Sequence, residues 1–341
     1  MSFVKQSQHQ IPRAFGRYLS PVRGSPPPRR SLHPSGLVLH ELDTRYLGIA
    51  GTASAFVVRG PDGPVLVECG CAVAFEGLCA QLDSLGIAPR DLRGLVVTHI
   101  HLDHAGSAGH FAREGVPVFV HPRGARHLVE PSRLIAGSRA VHGSRYGEFY
   151  GDPLPIAAEM VRAVEHGATV MIGGLRWSAI ETPGHARHHH AWTVESVDSA
   201  GPDAVFTGDV LGMVSPGSDY ISIPVPPSDI DIPAWRASLA RLRALPTGIP
   251  AILTHGGRRA LGQHLDAFVA RLDEELPLLM ELVQLMEHAP TEADARYRAF
   301  LTPRARAGGV SEELIAALLG RAFRTMNLAG IADAHRHSRI W

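Results

Sequence analysis

The sharpest chemical signal in the chain is Thr98-His99-Ile100-His101-Leu102-Asp103-His104, with four metal-ligating side chains in six residues. It follows a short apolar run, Leu95–Thr98, that predicts a strand. On an extended segment His99 and His101 share one side. A turn into a helix at Leu102 swings Asp103 and His104 beside them. Two ligand pairs from one turn suit two metal ions, and imidazole with carboxylate suits zinc, iron or manganese.

Three distant segments offer partners, each at the end of an apolar run: Glu181-Thr182-Pro183-Gly184-His185, Phe206-Thr207-Gly208-Asp209 and Leu253-Thr254-His255-Gly256. Strand ends beside glycine present side chains into clefts and let backbones approach closely. Each segment alone is an ordinary turn. With the first cluster they supply seven ligands, enough for two sites sharing an open or bridged position.

The remaining sequence shows what must position these residues. The predicted strands are Leu37–Leu42, Ser54–Arg59, Val65–Glu68, Val118–Val120, Thr169–Ile172, Arg176–Glu181, Ala191–Val194, Ala204–Thr207 and Ala251–Thr254. Helices are expected at Val73–Leu85, Ala105–Arg113 and Ile232–Leu245. The hairpins among them predict an α/β fold with mixed sheets. From Leu261 to Met286 apolar residues keep a helical period, with Pro277 as an expected kink. Ser311 reads as an N-cap before another apolar helix face. The expected units are 1–36, basic, proline-rich and disordered; 37–260, catalytic; and 261–341, a helical cap or dimerisation element.

Composition sets the outer bounds. The 341 residues carry 33 basic and 33 acidic side chains, which argues against bulk electrostatic binding of nucleic acid. No apolar run is long enough to span a membrane, and three cysteines are too few for a disulfide framework. The expectation is a cytoplasmic protein acting on a small molecule, with no nucleic-acid or membrane partner and with homo-oligomerisation left open. Residues 1–36 hold six Lys/Arg and no acid, a balance shared by transit peptides, but show neither an amphipathic helix nor an apolar core.

The series His99-x-His101-x-Asp103-His104, His185, Asp209 and His255 resembles the metallo-β-lactamase superfamily, over roughly residues 37–260. The resemblance implies an αββα sandwich (a four-layer α+β arrangement) with the site at one edge of two packed sheets and a C-terminal helical extension. It implies that His99, His101 and His185 hold one metal, that Asp103, His104 and His255 hold a second, and that Asp209 bridges them. Glu68, where the family usually has Asp, is then expected to orient a ligand histidine. A bridging aspartate is similar to glyoxalase II, lactonase and phosphodiesterase relatives rather than to true β-lactamases. The spacing around Val120–Gly124, Thr182–His185 and Ile223–Pro227 is most similar to an uncharacterised bacterial subgroup of glyoxalase II-like hydrolases.

The implied chemistry is hydrolysis of a small ester-like substrate, a thioester or lactone first, by a metal-bridging hydroxide. The implied cofactor is two divalent ions, zinc first and iron or manganese otherwise; sharing a water lowers its pKa toward about 7. Asp103 and Asp209 are the catalytic candidates, and no Ser or Cys nucleophile is needed. A mononuclear iron persulfide dioxygenase, a phosphodiesterase and a non-catalytic binding protein remain as alternatives. His188 and Tyr220 are candidate substrate contacts, and His142, Tyr146, Phe149 and Tyr150 a candidate cleft lining. His189 and His190 read as partly buried or solvated, and Cys69 and Cys71 as small buried apolar groups.

Overall fold

A computed structural model describes residues 28–32 and 36–340. Seven strands form the first sheet in sequence order: β1 (Arg29–Leu32), β2 (Val38–Asp43), β3 (Ser54–Gly60), β4 (Gly63–Val67), β5 (Gly94–Val96), β6 (Val118–Val120) and β7 (Val161–Ala163). Its first pairings are antiparallel and those from β4 to β7 parallel. The second sheet contains β8 (Thr169–Ile172), β9 (Leu175–Glu181), β10 (His190–Glu195) and β11 (Ala204–Phe206). After the short ribbon β12 (Met213–Val214) and β13 (Ile221–Ser222), β14 (Pro250–Leu253) and β15 (Gly257–Ala260) complete it. β14 lies parallel to β11.

Alternation along the strands builds the layers. In β3, Phe56 and Val58 point between the sheets, where they meet Trp177, Trp192 and Phe206. Ala55 and Val57 point outward and pack with the apolar faces of α1 (Phe75–Ser84) and α3 (Ala108–Arg113). The other outer layer joins α7 (Ile232–Arg243), α8 (Leu261–Met286), α9 (Pro290–Ala307) and α11 (Arg321–Arg336) to the second sheet in one apolar cluster. The remaining helices are α2 (Leu102–Ala105), α4 (Pro122–Val129), α5 (Ser132–His142), α6 (Tyr146–Phe149) and α10 (Glu312–Leu318). The arrangement is the expected αββα sandwich with helical C-terminal residues.

Several boundaries differ from the sequence reading. The helix expected over 105–113 divides into α2 and α3. A Cβ on Gly106 would lie 2.8 Å from the Ala72 nitrogen, and Ser107 Oγ donates to the Cys71 carbonyl, so this junction docks on the 71–72 backbone. Arg29–Leu32, expected within a disordered extension, pairs with β2; residues 1–27 and 33–35 lie outside the described residues. α8 runs as one helix through Pro277, and Ser311 caps α10 by accepting from the Leu314 amide. The sequence reading does not include α4 and α5, whose apolar residues are few: α5 lines the cleft, and α4 packs Leu128 into the apolar cluster outside the first sheet.

Candidate metal centre

Each functional side chain stands where a strand ends. β5 stops at Val96, Thr98–His101 run on extended, and α2 begins at Leu102, which brings Asp103 and His104 round beside His99 and His101. His185 follows β9, Asp209 follows β11 and His255 follows β14. Gly184 and Gly208 permit the approach: a Cβ on Gly184 would lie 2.3 Å from Trp235 Cβ, and one on Gly208 2.5 Å from Thr98 Oγ1.

The seven residues converge into overlapping groups of potential ligands: His99, His101 and His185; His99, His104 and Asp209; and Asp103, His104 and His255. Asp209 lies between them. Its Oδ2 is 3.4 Å from His185 Nε2, while its Oδ1 is 3.3 Å from His104 Nε2 and 3.6 Å from His255 Nε2. Asp103 Oδ2 is 3.4 Å from His255 Nε2. His101 and Asp103 are the partly exposed members; the other five are buried.

Most rings are fixed through their second nitrogen. His185 Nδ1 donates to the Pro224 carbonyl at 3.0 Å and His255 Nδ1 to the Thr52 carbonyl at 2.7 Å. Thr98 Oγ1 donates to Glu68 Oε1 at 2.5 Å, so it accepts from His99 Nδ1 at 3.0 Å. Glu68 Oε1 also stands 3.3 Å from His104 Nδ1 and accepts from Thr254 Oγ1. One carboxylate therefore reaches ligands of both groups, directly at His104 and through Thr98 at His99. Glu68 holds a left-handed backbone at φ 60°, strained for a residue with a Cβ and retained against these contacts. The longer side chain reaches His104.

The donor set fits cations. His101 Nδ1 lies 2.9 Å from His99 Nε2 and 3.0 Å from His185 Nε2. The outer two rings have committed their protons elsewhere, so a proton on His101 satisfies at most one of these contacts. His104 Nε2, His255 Nε2 and Asp209 Oδ1 are buried without hydrogen-bond partners. Burial holds the pKa values of His99 and His101 well below 6.5, keeping them neutral and able to ligate. Burial acts the same way on His104 and His255, but the neighbouring carboxylates outweigh it and raise both. Those histidines in turn hold Asp103 and Asp209 ionised against their own burial. The carboxylates that raise these two histidines are negative charge that a cation can balance.

A cavity of about 380 Å³ opens over this floor. His188 lines it, with its ring centroid 5.4 Å from that of His101, and burial together with His185 and His121 lowers its pKa to about 3. His142, Phe149 and Tyr150 line it as expected; Tyr146 does not and packs in the cluster below. Tyr220 is a correction: it turns into the helical layer, where its hydroxyl accepts from Arg271 Nη2 and its ring packs with Ala305 and Val310, and it does not line the cavity. His189 is a second correction. It is fully buried, with Nδ1 on Thr182 Oγ1 and Nε2 accepting from the Asp209 amide. Cys69 and Cys71 are buried and belong to none of the ligand groups. Thr52 and Pro224 escaped sequence reasoning because they act through carbonyls, which every residue carries. Thr98 and Tyr46 had side chains to notice; Tyr46 lines the cavity and pairs its hydroxyl with that of Tyr150 at 2.7 Å.

Comparison with known proteins agrees with this geometry. The model of the metallo-beta-lactamase superfamily matches residues 48–255. A metallo-beta-lactamase fold-containing protein, ST1585 of Sulfurisphaera tokodaii, is 26% identical over 251 residues, covering 72% of this chain and 88% of its own. Its crystal structure superposes with a TM-score of 0.55 at 25% identity, over 69% of this chain and 85% of that one. A metallo-beta-lactamase family protein of Thermus thermophilus, TTHA1429, gives a TM-score of 0.59 at 22% identity, over 89% and 94%. The endoribonuclease YSH1 of Saccharomyces cerevisiae is 24% identical over 168 residues, which is 46% of this chain but only 21% of that protein.

Proposed function

The chain belongs to the metallo-β-lactamase superfamily, and on that premise we propose that it is a dinuclear metal-dependent hydrolase of small ester-like substrates, thioesters or lactones with an apolar group. The observation that carries this reading is the placement of Asp209 between two ligand groups at the floor of a largely apolar cavity. When bound, two divalent ions, zinc in this reading, supply an acidified water as nucleophile and positive charge for the developing oxyanion. His99, His101 and His185 would hold one, Asp103, His104 and His255 the other, with Asp209 shared.

The chain's own residues do the rest. Substrate enters from the side of His101 and Asp103, the partly exposed members of the set. Asp103 is held ionised and can accept a proton or hydrogen bond from the attacking water. Leu134, Val141 and Phe149 on one side, and Leu318, Phe323 and Met326 on the other, flank the cavity with apolar surface. Such walls suit an acyl or aryl group, and Arg133 and Arg145 are the only Lys or Arg among the described lining residues, fewer than a nucleic-acid track presents, so a small ester is preferred to RNA despite the partial match to an endoribonuclease. The unpaired cysteines support a reducing, cytoplasmic setting, and no single helix among the described residues is long and apolar enough to cross a membrane.

The test is hydrolysis by the metal-loaded full chain of a panel of thioesters, lactones, phosphodiesters and single-stranded RNA. Chelator-sensitive turnover of thioesters or lactones, rising with acyl length, is expected. Turnover confined to phosphodiesters or RNA, or oxygen uptake with a persulfide, contradicts it.

A further inference from the structure

The Ile223–Pro227 segment after β13 lies on the cavity rim, with Pro224, Pro226 and Pro227 among its lining. It supplies the carbonyl that fixes His185. This segment has no strand partner, and alternating prolines deprive it of amides. Its buried backbone groups must nevertheless be paired. Asn327, fully buried on α11, pairs them: its Nδ2 donates to the Ile223 carbonyl at 2.8 Å, and its Oδ1 accepts from the Val225 amide at 3.1 Å. The two bonds bracket Pro224.

We propose that Asn327 is a positioning residue for the metal centre, clamping Pro224 so that its carbonyl holds His185 in the ligating orientation. The inference rests on His185 being a metal ligand, as proposed above. A carboxamide offers a donor and an acceptor at the required spacing at every pH; an ionised carboxylate repels the Ile223 carbonyl, and an alkyl group leaves both partners unpaired. Two further observations fit. Gly330, one turn along α11, lets the helix lie directly on the same segment, since a Cβ there would stand 2.0 Å from the Val225 carbonyl oxygen. Asn327 is itself held by a buried chain: its Nδ2 also donates to Tyr297 Oη at 2.9 Å, Tyr297 donates to Glu275, and Glu275 pairs with Arg271 at 2.6 Å. The C-terminal helices thereby set the geometry of a ligand more than a hundred residues upstream.

The test compares the full chain with Asn327→Leu, Asn327→Asp and Leu328→Ala. Leu328 is buried on the same helix but its side chain only packs in the apolar cluster, so its truncation weakens the helix without freeing the clamp. Zinc affinity is read by chelator competition, and the cobalt(II)-loaded proteins by visible spectrum. Asn327→Leu and Asn327→Asp are expected to weaken one of two binding steps by about 10–100-fold, as loss of partners that orient ligands does. Their cobalt spectra should change, while Leu328→Ala keeps both affinity and spectrum. If Asn327→Leu does not fold, Asn327→Asp alone carries the same readings. Unchanged affinity in the Asn327 variants, or an equal loss in Leu328→Ala, overturns the clamp. A parent chain that binds no metal overturns the hydrolase reading and the clamp together, whereas a parent that binds two ions beside unaffected variants overturns the clamp alone.

Discussion

The floor and the wall of the cleft are assembled in opposite ways. The floor draws four of its seven candidate ligands from the six residues His99–His104, and the other three from strand ends that two packed sheets bring to one edge. The wall draws Leu134 and Phe149 from the helices after β6, and Leu318, Phe323 and Met326 from helices near the C-terminus. The floor is polar, buried and held by directed hydrogen bonds, each with a named acceptor. The wall is mostly apolar, with Arg133, Arg145 and Asp229 among its lining, and depends more on shape than on directed bonds. Loss of a floor residue should therefore damage chemistry for every substrate, while loss of a wall residue should change which substrate is preferred.

Substitutions can break this contrast, and they are taken from the largest expected effect downward. Asp209→Ala removes the carboxylate that stands between His185 on one side and His104 and His255 on the other, the proposed bridge. Metal affinity should fall by more than about 100-fold, the upper end for merely removing an orienting partner, and turnover should vanish for all substrates. Elemental analysis after dialysis checks this; full metal content in the variant refutes the bridging role. Glu68→Gln keeps the shape but weakens the acceptor for Thr98 and His104, so metal affinity should fall about tenfold with the apo fold retained by circular dichroism. Phe323→Ala removes part of the wall only. Its KM for apolar esters should rise about tenfold, the loss of roughly 1.4 kcal/mol of burial, with kcat and metal content unchanged. A fall in kcat without a change in KM would erase the distinction between floor and wall.

The change with least bearing on the chemistry concerns stability against pH. Burial, His121 and His166 lower the pKa of His190 to about 3, from 6.5 in the unfolded chain. The folded state therefore keeps this ring neutral where the unfolded chain takes up a proton. Its contribution is complete above pH 6.5 and is lost as pH falls toward about 3. The expected slope is about 1.4 kcal/mol per pH unit within that window. Denaturant melts of the parent and His190→Phe chains at several pH values should show a shallower acid loss in the variant. Parallel curves would place the acid sensitivity elsewhere.

The contrast between floor and wall also explains what could be read before the structure. The His99–His104 turn was legible because metal ligation restricts residue type and spacing at once, and the strand ends at His185, Asp209 and His255 followed from apolar runs stopping at glycine-containing turns. The strands were legible from short apolar runs bounded by turn residues, as in Ser54–Arg59 against β3 (Ser54–Gly60). Tyr220 misled because loop distance from Asp209 says nothing of direction, and Arg271 draws its hydroxyl into the helices. His189 reads from sequence like His190, as a partly buried or solvated residue, and only the fold sets it against the Asp209 amide. Asn327, Thr52 and Pro224 were invisible because their roles exist only once distant backbones meet.

The most direct measurement is the metal content of the purified full chain by elemental mass spectrometry, after reconstitution and removal of loosely held ions. Two equivalents of zinc or manganese per chain, falling sharply in Asp209→Ala, is the result this account predicts. A single equivalent of iron that persists when other ions are supplied would contradict the dinuclear floor and turn attention to oxygen-dependent sulfur chemistry.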